Sequence, residues 1–108
     1  MVFSRQLYLG EGVKHPAIIK HKLRAHRISK GTYVIRIAEN DSDYLEILQA
    51  TYYLQPLAHH EKNYIVGFAS SYNEALTLVE KMMQDCLERT GGVDLRNYLI
   101  QLNQRRNR

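Results

Sequence analysis

A two-layer α+β domain, with helices packed on a mainly antiparallel sheet of three to four strands, is the fold class that the sequence predicts from three features. The 108 residues contain no internal repeat, low-complexity tract or Pro/Gly/Ser linker, which suits a single hydrophobic core. Short segments of period-two apolar pattern recur between Thr32 and Ala69. Apolar residues then recur at helical spacing from Ala75 to Leu87 and from Leu95 to Leu102. The predicted order is β-α-β-β-β-α-α in one domain over residues 1–104, followed by a basic tail at 105–108.

Arg5 to Leu9 reads as a strand stopped by Gly10-Glu11-Gly12, and Pro16 suits the first turn of a helix predicted to run to Arg27. Ser29-Lys30-Gly31 ends that helix, with Gly31 free to adopt the left-handed conformation. From Thr32 to Glu39, Tyr33, Ile35 and Ile37 alternate with Val34, Arg36 and Ala38, the pattern of a pleated strand. Asn40-Asp41-Ser42-Asp43 is a polar turn into Tyr44 to Leu54, where Asp43 and Glu46 would also suit the start of a helix but tyrosines and β-branched residues favour a second strand. Gln55 to Lys62 forms a loop and Asn63 to Ala69 a further strand. Ser71 with Glu74 three residues later is a capping-box pair for a long helix closed by Gly91-Gly92. A last helix begins after Asp94, with Leu95, Tyr98, Leu99 and Leu102 on one side.

Cys86 is the only cysteine, so no intramolecular disulfide can form, and a reducing, cytoplasmic compartment is the expectation. No segment approaches the length of a membrane span, so no membrane partner is expected. The net charge of +4 includes the arginines of the Gln104-Arg105-Arg106-Asn107-Arg108 tail, without which the body is near neutral.

Most of the motifs with defined chemistry are missing. No elbow for a nucleophilic serine, phosphate-cradling glycine loop or dinucleotide fingerprint is present, so neither a catalytic residue nor a cofactor is predicted. Cys86 lies within the apolar stripe of the long helix and reads as core. His59-His60-Glu61 invites a metal reading, but adjacent residues converge poorly on one ion and no metal site is assigned. The start of the second long helix, Ser71-Tyr72-Asn73-Glu74-Ala75, lacks the lysines of a double-stranded-RNA-binding domain.

The first helix carries the most suggestive chemistry. Lys20, Arg24 and Arg27 fall within about sixty degrees of one another on a helical wheel. With Lys14 and Lys30 they form a candidate site for nucleic acid or another polyanion, because such a stripe can neutralise successive phosphates. A different expectation comes from the strands. Leu48, Tyr52 and Leu54, and the stripe Tyr98, Leu99 and Leu102, are candidate interface residues, on the premise that helices leave one sheet face bare. The primary expectation is therefore a non-catalytic interaction module that self-associates as a homo-oligomer or binds an unidentified protein partner. The alternatives are a polyanion binder and, third, an enzyme or metal site beside the His59-His60 loop.

Overall fold

The computed structural model describes residues 1–27, 30–37, 45–60 and 63–105. The expected Asn40-Asp41-Ser42-Asp43 turn, Ser29, Glu61, Lys62 and residues 106–108 of the tail lie outside the described residues, as do the side chains of His59, His60 and Arg105. The elements are β1 (Val2–Leu9), α1 (Pro16–Arg24), β2 (Tyr33–Ile37), β3 (Leu45–Gln49), β4 (Tyr64–Ala69), α2 (Tyr72–Thr90) and α3 (Leu95–Arg105), the α+β order expected. Two short 3-10 segments, Ala50–Leu54 and Pro56–His60, lie between β3 and β4.

The sheet runs β1-β4-β2-β3. β2 pairs antiparallel with both β3 and β4, while β1 and β4 are parallel. Along β2 the alternation sorts the core as the sequence predicts. Ile35 and Ile37 face α2 and α3, in one buried cluster with Val66, Met82, Cys86, Leu95, Tyr98, Leu99 and Leu102. Val34 faces the other way, in a second cluster with Leu23 of α1, Ala50, Tyr53, Ala58, Ile65 and Phe68.

Both sheet faces are therefore covered, and the premise of a bare face is corrected. Tyr98, Leu99 and Leu102 are at most 4% exposed, enclosed by the chain's own α2 side of the sheet. Leu48 and Tyr52 pack half-buried against the cluster beneath α1, and only Leu54 is exposed.

Three element boundaries also differ, the first being the start of β1, which is at Val2 and not at the expected Arg5. The strand expected over Tyr44 to Leu54 ends at Gln49, and the chain coils because Tyr53 is worth more buried than extended. Its ring is 1% exposed and its hydroxyl donates to Asn63 Oδ1 at 3.0 Å, a bond that continued pleating would turn away. The first helix ends at Arg24, not Arg27. His26 takes the left-handed conformation with φ 58°, His26 N–H donates to Leu23 O, and Arg27 N–H donates to Lys22 O at 2.8 Å. This is a Schellman closure with histidine where glycine is usual. Gly31 is also left-handed (φ 71°), but it serves the turn into β2.

Candidate anion-binding site

The parallel pair sets the geometry. The last residues of β1 and β4 lie side by side, Leu9 opposite Phe68, and Gly10 N–H extends the ladder to Phe68 O at 3.0 Å. From there the chain diverges: β1 leads to α1 on one face of the sheet, β4 to α2 on the other. Where consecutive helices leave parallel strands for opposite faces, a crevice opens at the carboxyl ends of the strands.

Glu74 closes the floor of that crevice. Ser71 caps α2 by accepting from Glu74 N–H at 3.1 Å, as the motif predicts. The Glu74 carboxylate, however, accepts from Ser70 N–H at 2.7 Å, from the Ser70 hydroxyl at 3.0 Å and from Gly12 N–H at 3.2 Å. It thus ties the β1–α1 loop to the start of α2. The Ser70 amide, and with it Gly12 N–H and the Ser70 hydroxyl, hold this carboxyl below its usual range against the opposing effect of burial. A Cβ on Gly10 would occupy the place of the Glu74 carboxyl, and one on Gly12 that of the Ser70 hydroxyl. The Gly10-Glu11-Gly12 segment is therefore a clasp as well as a strand stop.

Beside the clasp, on the α1 side, lies a cavity of about 400 Å³. Lys14 reaches it from the loop, Lys22 from α1 and Lys30 from the turn before β2, while Val13, Ile18 and Ile19 supply an apolar wall. Of the residues singled out in the sequence, Lys14 and Lys30 thus belong here, joined by Lys22, which was not among them. Lys20 and Arg24 belong elsewhere: they lie over the Phe3 ring at 5.7 and 4.7 Å, and Phe3 rests edge-on against buried Phe68. Arg27 is exposed beyond the helix end and does not extend the stripe as a helical residue. One predicted stripe is in fact two cationic groups, on either flank of α1.

Among the described residues no carboxylate balances them: Lys14, Lys20, Lys22, Arg24, Arg27 and Lys30 take part in no ion pair. Residues 1–37 contain eight of the fifteen lysines and arginines but only Glu11 of the eleven carboxylates, so the rest of the chain is net acidic. That asymmetry was the available sequence signal, hidden when charge is summed over the whole chain.

Other polar groups are used structurally. Arg36 is buried in β2, donates to Asn63 Oδ1 at 2.6 Å and to Glu46 at 3.2 Å, and stacks over Tyr52. Asn63 in turn donates to Ala58 O at 2.7 Å, so the cluster pins the 3-10 segments to the sheet. On the far face, burial and a hydrogen bond to Asp85 push the Tyr8 hydroxyl upward in pKa. Burial raises Asp85 as well, but donors Lys81 and Tyr8 together hold it below its ordinary value. Cys86 is buried, and no three His, Cys, Asp or Glu side chains among the described residues are placed to hold a metal. Among the same residues, no helix is long and apolar enough to cross a membrane.

No family model, curated protein or solved structure matches the chain significantly.

Proposed function

We propose that the chain is a polyanion-binding module that takes nucleic acid across α1, with Lys20 and Arg24 on one flank and Lys14, Lys22 and Lys30 on the other. The observation that supports this reading is the cluster of cations without carboxylate partners on a net-acidic remainder. Such segregation costs self-repulsion in the free protein, and a phosphate backbone removes that cost while releasing its own counterions.

Titration of a mixed-sequence oligonucleotide at several salt concentrations tests it. Log affinity is expected to fall linearly with log salt, with a slope of about −0.7 to −0.9 per neutralised phosphate. Lys20→Gln and Arg24→Gln are each expected to shallow the slope by about one, without changing sequence preference. Absence of binding at low salt, or affinity indifferent to salt, rejects the proposal.

A second reading, a module that self-associates, is favoured by one flank of α2. Tyr72, Leu76, Met83 and Leu87 recur at helical spacing there and remain between 38 and 54% exposed. A dimer mass by light scattering that persists in half-molar salt supports it, and a monomer at micromolar concentration in both low and high salt removes it.

A further inference from the structure

We propose that the cavity at the carboxyl ends of β1 and β4 is a discrete site for a nucleoside 5′-phosphate, either a free mononucleotide or the 5′-phosphorylated end of a strand. The proposal deepens the polyanion reading and rests on it for the choice of nucleoside over other phosphate esters.

The volume of about 400 Å³ lies within the range of small-ligand sites, roughly 300–1,000 Å³. Its cations come from three separate segments, Lys14 from a loop, Lys22 from a helix and Lys30 from a turn, so they surround a space and do not line a ridge. Among the described residues that line the cavity none is acidic, and the Glu74 carboxylate next to it is taken up by Ser70 and Gly12. Three ammonium groups without carboxylate partners suit a ligand group with several acceptor oxygens and more than one charge. A phosphomonoester has three such oxygens and about 1.5 to 2 negative charges at neutral pH, whereas a carboxylate has two oxygens and one charge. The neighbouring amides of Gly12 and Ser70 already donate to Glu74, so recognition of the phosphate falls to the lysines.

The wall specifies the rest of the ligand. Val13 and Ile19 are half-buried, and Ile18 is 51% exposed on a helix whose other large apolar residues, Ile19 and Leu23, are covered better. An apolar wall beside a charged rim suits a flat, weakly hydrated body attached to a phosphate, which a nucleoside provides and a bare phosphate or sugar phosphate does not. The Lys20 and Arg24 pair differs: it lies over Phe3 on the other flank, does not line this cavity, and suits the phosphates of a passing backbone.

The test compares AMP, adenosine and inorganic phosphate by calorimetry, and a 5′-phosphorylated with a 5′-hydroxyl oligonucleotide by fluorescence anisotropy, all on the full chain. AMP is expected to bind at least about tenfold tighter than adenosine or inorganic phosphate, or the phosphorylated strand about tenfold tighter than its hydroxyl counterpart. The first result identifies a free mononucleotide as the source, the second a strand end. Lys22→Gln and Lys30→Gln are expected to abolish that preference, weakening AMP or the phosphorylated strand about tenfold more than the hydroxyl strand, with unchanged thermal melts. Lys20→Gln and Arg24→Gln are expected to weaken both strands alike and leave AMP unaffected. Equal binding of both strands together with no saturable AMP binding overturns the site but leaves the polyanion reading standing. Phosphate binding as tight as AMP also overturns it. Failure of both strands with AMP still bound overturns the polyanion reading instead and supports the site.

Discussion

α1 and α2 leave the same parallel strand pair in opposite directions and are stabilised in different ways. α2 has a side-chain N-cap, a carboxylate in its first turn, i,i+4 bonds from Lys81 to Asp85 and from Gln84 to Glu88, a left-handed glycine at its end and three buried residues. α1 has no side-chain cap, no acidic residue in its first turn, a left-handed histidine at its end and one buried residue, Leu23. Its cations, unlike Lys81, have no intrahelical carboxylate to meet. The ordinary devices of helix stability are concentrated in the helix that holds the core together. The helix without them carries the free charge, as expected where a surface is kept for a ligand at some cost to stability.

The largest expected effect separates the two helices directly. Leu23 and Met82 are each fully buried, one under each helix, so Leu23→Ala and Met82→Ala should both destabilise by about 2–5 kcal/mol in denaturant melts. Their effects on binding should part. Leu23 is the one fully buried anchor of α1, so its loss should loosen the cationic surface and weaken oligonucleotide binding at temperatures where the protein is still folded. Met82→Ala should leave binding by the folded fraction unchanged. Equal loss of binding in both variants would mean that α1 is held by the sheet as a whole and not by Leu23.

A smaller effect concerns the clasp that joins the helices' starting points. Glu74→Gln removes the charge from three hydrogen bonds at a half-buried site, and should cost about 1–2 kcal/mol at neutral pH. Because the folded-state pKa of Glu74 is lowered, its contribution is fully present above the unfolded value, about 4.3, and is lost as pH falls through the folded value. The gap in stability between parent and Glu74→Gln should therefore close on acidification, measured by melts at neutral and strongly acidic pH. Gly12→Ala should behave similarly, since a Cβ there displaces the Ser70 hydroxyl, a movable group, and not backbone. A gap independent of pH would show that packing, not the carboxylate charge, holds the loop.

How legible each region was follows from how local its causes are. α2 could be read from its cap, its stripe and its glycines because each signal lies within a few residues of what it controls. Glu74 was legible as the partner of Ser71, but its bond to Gly12 spans sixty-two positions and no local pattern announces it. The end of α1 was misplaced because glycine is the usual left-handed signal, and Gly31 drew the boundary away from His26. The tyrosines of Ala50–Leu54 argued for a strand on propensity, and the buried bond from Tyr53 to Asn63 overrode them. Alternation assigned Arg36 to a face, but its burial depended on Asn63 and Tyr52. The cations of α1 were visible one by one, whereas the meeting of Lys14, Lys22 and Lys30 needed the β1–α1 loop and the turn before β2 to fold together.

The smallest effect tests the end of α1 itself. A residue with a Cβ pays roughly 1 kcal/mol to adopt the left-handed conformation, which glycine adopts freely. At His26 that cost is borne for two hydrogen bonds, from His26 N–H to Leu23 O and from Arg27 N–H to Lys22 O. Glycine keeps both bonds and removes the strain, but it also makes the unfolded chain more flexible and deletes the imidazole. His26→Gly is therefore expected to stabilise the domain by about 0.5–1 kcal/mol, a rise of roughly 2–8 °C in Tm. Oligonucleotide affinity should not move, because His26 lies outside both cationic groups and the helix keeps its length. A fall in Tm would mean that the imidazole's own contacts outweigh the strain, so that α1 holds more local stabilisation than its caps suggest. A rise in Tm with weakened binding would instead place His26 among the groups that meet the ligand.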